Sequence, residues 1–191
     1  LPVELSLHSS NPPNPWAGYK LALQRGVELP TEATHLLVLQ DDVIVCADFP
    51  LAVTAAIEER PEQVLSLWVG ALPGRTRKDF WIAQGKRERW SRVYFRDICH
   101  VVGLVWPRPL AEDFLEWTSD HRLPGDCRQV QSDDAIVGAW MRRTHQTVWA
   151  CVPSLVEHND DVESTIGRPR GDKGRRAIAF IDSPAPESQL T

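Results

Sequence analysis

The chain has 191 residues, 42% of them hydrophobic and 25% charged, a globular balance that sets it apart from disordered sequences. At 21.6 kDa it is long enough for one domain with a sizeable core. Net charge is −5, and no apolar run approaches the ~18 residues of a membrane-spanning helix.

Leu1–Ser10 has neither the basic start nor the apolar run of a signal peptide. Val3–Leu7 alternates weakly, as a short strand would, and Asn11-Pro12-Pro13-Asn14-Pro15 then forbids regular structure. From Trp16 to Arg25 the pattern predicts a helix, with Trp16, Tyr19, Lys20 and Leu23 on one face and Gly26 as its stop. Leu36–Leu39 reads as a strand buried on both faces, ending abruptly in Gln40-Asp41-Asp42. Asp48 is placed to cap a helix that has Pro50 in its first turn and runs through Ala52 to Glu59. Val64–Val69 is a second buried strand, closed by Gly70.

Ala71–Ser91 carries Pro, Gly, Trp81, Trp90 and many basic residues, and reads as a long functional loop with room for one short helix. Arg92–Phe95 and His100–Trp106 are predicted strands. Pro109 opens a helix with Leu110, Phe114 and Trp117 at i, i+4, i+7. Ser132 caps another, whose Ile136, Val137, Trp140 and Met141 face the core. Thr147–Val152 is the last strand, followed by Pro153-Ser154-Leu155-Val156-Glu157-His158. No internal repeat is detectable. Residues 1–182 are expected to form a single domain, and Ser183–Thr191, which offers no core residues, a disordered tail.

Strands alternating with helices predict an α/β sandwich on a largely parallel sheet. In such sheets ligands bind beyond the carboxyl ends of the strands, where Gln40-Asp41-Asp42 would sit. The four cysteines, Cys46, Cys99, Cys127 and Cys151, form no CxxC pair. They are expected to be reduced, mostly buried thiols of a cytoplasmic protein.

Several constellations can carry chemistry. Asp41 and Asp42 repel each other unless a cation or donors compensate, and carboxylates are the hard ligands that Mg²⁺ and Mn²⁺ prefer. The structural alternative is a polar turn. His158, followed by Asn159-Asp160-Asp161, can offer an imidazole to the same metal or be a surface histidine. Ser132-Asp133-Asp134 is a good helix start, and the same carboxylates can accept a hydrogen bond from an acceptor hydroxyl. Charge is segregated: Arg75–Arg96 holds eight basic against two acidic residues, and Arg168–Arg176 five against one. Such segments suit a polyanion, and Trp81 or Trp90 could embrace a sugar or be core. Arg168, Arg170, Lys173 and Arg175, spaced by glycine and proline, suit a diphosphate leaving group.

In order, these pieces resemble a known family. Thr34-His35-Leu36-Leu37-Val38-Leu39-Gln40-Asp41-Asp42-Val43, with Asp48-Phe49 after it, resembles the acidic motif of GT-A glycosyltransferases, family 25 above all, with Gln40 in place of the usual acid. Leu65-Ser66-Leu67-Trp68-Val69-Gly70, Gly103-Leu104-Val105-Trp106-Pro107 and Trp149-Ala150-Cys151-Val152-Pro153-Ser154-Leu155-Val156-Glu157-His158 are similar to later strands of phage-type relatives. The likeness spans residues 16–181. It implies a GT-A-like, Rossmann-type α/β/α sandwich and a metal-dependent transfer of sugar from a nucleotide-sugar donor to a glycan, protein or modified-DNA hydroxyl.

In that reading Asp42 and His158 bind Mn²⁺ or Mg²⁺, Asp41 supports the ribose or the metal shell, and Arg168, Arg170, Lys173 and Arg175 face the diphosphate. Asp134, or failing it Asp133, faces the acceptor, and a true base there implies inversion. Only Val3–Leu7 precedes Trp16, so the family's base-binding start is expected to lie outside this chain. Two other readings fit the residues. One is a metal-dependent nuclease or phosphohydrolase using Asp41, Asp42, Asp133, Asp134 and His158. The other is a catalytically inactive carbohydrate-binding module.

Overall fold

The structure is a computed structural model and describes residues 14–70, 74–97, 101–119, 132–159 and 176–182. Val3–Leu7, Cys99, Cys127 and the tail lie outside them. The described residues form an α/β fold in chain order α1 (Pro15–Glu28), β1 (His35–Leu39), β2 (Val43–Val45), α2 (Phe49–Glu59), β3 (Val64–Ser66), α3 (Arg75–Gly85), β4 (Trp90–Val93), β5 (Gly103–Pro107), α4 (Arg108–Ser119), α5 (Asp133–Thr144), β6 (Val148–Cys151) and β7 (Val156–His158).

Five strands make the central sheet, in the order β1-β5-β3-β6-β4, and β2 pairs with β7 in a separate two-stranded ladder. Among the described strands of the central sheet only β3 and β6 are hydrogen-bonded in parallel; the β1–β5, β3–β5 and β4–β6 ladders are antiparallel. The expected mostly parallel sheet is therefore corrected to a mixed one. β1, β3 and β6 do share one direction, but β5 inserts between β1 and β3 in the opposite sense, and β4 closes the far edge likewise. All five residues of β5 are buried, and an apolar run without alternation says nothing about strand direction.

One face of the sheet meets α1, α4 and α5. There Leu23, Trp106, Phe114, Ile136 and Trp140 are almost wholly buried. Trp106 stacks on Phe114 with centroids 4.9 Å apart, and Trp140 meets both at 5.2 and 5.5 Å. The other face meets α2 and the small ladder through Val53, Ala56, Leu65, Leu67, Val105 and Val156.

Local details depart from the sequence reading in instructive places. α1 runs through Gly26 to Glu28, and Asn14 caps it by accepting the Ala17 N–H at 3.0 Å. Asp48 stands at the start of α2 but in a left-handed conformation (φ 52°), without a side-chain capping bond. The short helix allowed for within the Ala71–Ser91 loop is α3, eleven residues long. β1 is an edge strand, so Leu37 is 37% exposed instead of buried on both faces. Cys46 and Cys151 are free and buried, and burial pushes both thiols up, Cys151 to about 12.

Candidate functional site

Because β1, β3 and β6 point the same way, their carboxyl ends and the start of β5 meet at one edge of the sheet. Beyond β1, the Gln40 N–H donates to the Val102 carbonyl at 3.0 Å, and the Asp41–Asp42 turn follows. Past β3, the Leu67 N–H donates to Gly103, and the Leu67 carbonyl accepts from Leu155 and Val156. Gly103 packs closely where β1 ends: a Cβ there would lie 3.0 Å from Leu39 Cδ2, which would have to give way. Ser154, after β6, accepts the Val69 N–H on its Oγ at 3.2 Å.

The small ladder completes the arrangement. Val43 stands opposite His158 in the β2–β7 register, and the Asn159 N–H donates to the Asp42 carbonyl at 2.8 Å. Asp42 Oδ2 consequently lies 3.3 Å from His158 Nδ1, with the two side chains 15% and 6% exposed. Trp68 presents its ring edge-on to the imidazole, 84° between planes and 5.8 Å between centroids. Asp41, its neighbour, faces solvent.

A metal fits this spacing. Two cis ligands at about 2.1 Å from an octahedral cation lie roughly 3.0 Å apart. A carboxylate oxygen and an imidazole nitrogen 3.3 Å apart can occupy adjacent positions with little movement. Among the described residues no group of three or more His, Cys, Asp or Glu gathers around a cation. The pair would therefore be a partial shell, of the kind that water and substrate phosphate complete.

The third predicted pair reaches the same edge from α5. Asp134 Oδ1 accepts the Val101 N–H at 2.9 Å, just ahead of β5, and Asp133 Oδ1 accepts the Asp134 N–H at 3.0 Å. Asp133 is buried, and burial holds its carboxyl above the usual range against hydrogen bonds from the backbone and from the Gln40 side chain. Gln40 is thus the bridge between the turn that bears Asp42 and the start of α5. Below them the Tyr19 hydroxyl accepts the Trp106 Nε1–H at 2.8 Å. Burial, with the nearby Asp133 and Asp134 carboxylates, raises that phenol.

Sequence reasoning passed over Glu157. It is buried in β7, and its Oε1 accepts the N–H groups of both His158 and Ala177 at 2.8 Å. Residues 176–182 run on across the site's outer wall: the Ile178 N–H donates to Val69, Phe180 bridges Ser154, and Asp182 Oδ2 accepts the Ala47 N–H. The one signal available was a charged residue inside the apolar Val152–Val156 surroundings. Arg168, Arg170, Lys173 and Arg175, with Asp160 and Asp161, lie outside the described residues. The residues flanking that stretch are fastened beside the pair, Asn159 to Asp42 and Ala177 to Glu157.

The two tryptophans proposed as sugar platforms differ. Trp90 is engaged by the protein, donating its Nε1–H to Glu59 at 2.8 Å with Arg60 5.0 Å from its ring centroid. Trp81 is 50% exposed on α3. A comparison with protein-family models finds no match, and one with curated proteins finds none either.

Proposed function

We propose that this chain is a GT-A-like, metal-dependent glycosyltransferase domain that moves a hexose from a nucleotide-sugar donor to a hydroxyl of a glycan, protein or modified-DNA acceptor. The observation that carries the reading is the 3.3 Å approach of Asp42 to His158 beyond the end of β1. Those two residues are far apart in sequence and were singled out for the same cation.

Asp42 Oδ2 and His158 Nδ1 would hold the metal, and Asp41, exposed beside them, would reach the ribose or a metal-bound water. When bound, Mn²⁺ or Mg²⁺ supplies Lewis-acid stabilisation of the diphosphate leaving group. Asp134 would orient the acceptor. The acceptor oxygen bonds to the anomeric carbon as the bond to the diphosphate oxygen breaks, and the hydroxyl proton passes to the carboxylate, with inversion. Asp133 beside it would stand in only in its ionised form, which its burial disfavours.

Titration calorimetry with Mn²⁺, followed by donor hydrolysis across a panel of nucleotide sugars, tests the reading. Asp42→Asn and His158→Gln should weaken Mn²⁺ at least about tenfold, and Asp42→Asn should lower transfer by about 10³-fold. Near-normal metal binding and transfer in Asp42→Asn would falsify the assignment. Metal-dependent release of mononucleotides from DNA without any sugar donor would favour the nuclease.

A further inference from the structure

α3 carries a feature that the proposed transfer does not use. At 100° per residue, Thr76, Phe80 and Ala83 form its inward stripe, and all three are buried. Trp81, Gly85, Lys78, Ile82 and Arg75 follow one another around an outward arc of about 120°, and each of them is exposed. Trp81 is 50% and Ile82 44% exposed, a large apolar pair on the outer face of a helix with basic residues on the same arc. The orientation is fixed from below. Thr76 donates its N–H to Asp97 at 2.8 Å and accepts the Tyr94 N–H on Oγ1, and the Tyr94 hydroxyl donates to Asp79 at 2.7 Å.

Charge adds a second observation. Arg75–Arg96 carries eight basic and two acidic residues on a chain of net charge −5. Of those eight, Arg75 and Lys78 lie on the outward arc, and Arg75 and Arg92 meet over the Tyr94 ring beside it, so an anionic surface that the net charge repels is met there by cations.

We propose that the outer face of α3 docks on an anionic lipid bilayer, with Trp81 and Ile82 inserted among the headgroups and Lys78 and Arg75 against the lipid phosphates. A helix lying in the interface in this way needs an apolar face, flanking cations and no spanning length. The described residues contain no helix long and apolar enough to cross a membrane. A nucleic acid is the other polyanion this charge could meet, and the aromatic rings argue against it. Single strands are held by bases stacking on ring faces. The outward arc of α3 offers one ring, Trp81, and the exposed Ile82 beside it gives a second base nothing to stack on. This inference stands independently of the transferase reading.

Sedimentation of the whole chain with phosphatidylserine/phosphatidylcholine vesicles, against vesicles of phosphatidylcholine alone, tests it. The protein should bind the anionic vesicles, release them as salt is raised, and ignore the neutral ones. Trp81→Ser/Ile82→Ser and, separately, Lys78→Glu should each weaken partitioning roughly tenfold. Circular dichroism should not move, and partitioning is read well below each variant's thermal midpoint, because Trp81 and Ile82 are half covered by the protein. Equal binding by the Trp81→Ser/Ile82→Ser variant, or no binding by the wild type, overturns the proposal. Binding of a single-stranded oligonucleotide in place of the vesicles overturns it too, in favour of a nucleic-acid surface.

Discussion

Replacing Glu157 by alanine should damage the protein more than its position, one residue from the candidate metal ligand, would suggest. Its Oε1 accepts one buried and one partly buried backbone N–H group, those of His158 and Ala177, each at 2.8 Å. A hydrogen bond to a charged acceptor contributes about 1.5–3 kcal/mol, so removing both costs about 3–6 kcal/mol before relaxation. The residue is 7% exposed, and water entering the vacated space can satisfy part of the loss. A net cost of about 3–4 kcal/mol follows. For a domain of this length each kcal/mol lowers Tm by about 2–4 °C, so Glu157→Ala should melt about 6–15 °C below wild type. Glu157→Gln keeps an acceptor in place and should lose only about 2–4 °C. The two variants should also separate in Mn²⁺ titrations, because alanine frees the His158 backbone and glutamine does not. Differential scanning calorimetry decides: a Glu157→Ala midpoint within ~2 °C of wild type would mean that the clamp contributes nothing and the argument fails.

Two further outcomes concern α5. Asp134→Asn retains an oxygen for the Val101 N–H, so the fold should survive while turnover drops by about 10²-fold and donor binding holds; unchanged turnover would reduce Asp134 to a helix-start residue. Asp133 is an acid whose folded-state pKa burial raises. Its contribution to stability is complete below the unfolded pKa and is lost as pH rises to the folded one. Asp133→Asn should therefore match wild type in acid and gain on it toward neutral pH, whereas melting curves that stay parallel at every pH would contradict burial as the cause.

The helices that proved easy to read are those whose inward stripes are strongly apolar. Leu110, Phe114 and Trp117 announce α4, and Ile136, Val137, Trp140 and Met141 announce α5, all four of them buried. α3 is legible only as one short helix somewhere within Ala71–Ser91, because its inward stripe is only Thr76, Phe80 and Ala83, while its outer face carries Trp81 and Ile82. A periodicity argument places the large apolar residues inward, and here the two largest outward residues cancel the signal. Strand direction failed for a different reason. Val105 and its neighbours in β5 are buried on both faces, so the segment looks the same read in either sense.

At the site, the chemistry of single residues was legible and their assembly was not. Two adjacent carboxylates after an apolar strand point to a cation or a turn, but nothing in the sequence says which aspartate turns inward. That is decided by β2 and β7, three residues each, too short for any periodicity to reveal. The Asp41–Asp42 turn between β1 and β2 leaves Asp41 in solvent, and the Val43–His158 register lays Asp42 against the imidazole. Separating the two carboxylates in this way relieves the repulsion that made the pair conspicuous. The same step gives them different work: one is enclosed, with the His158 imidazole beside it and Trp68 edge-on to that ring, and the other is left for whatever approaches from water.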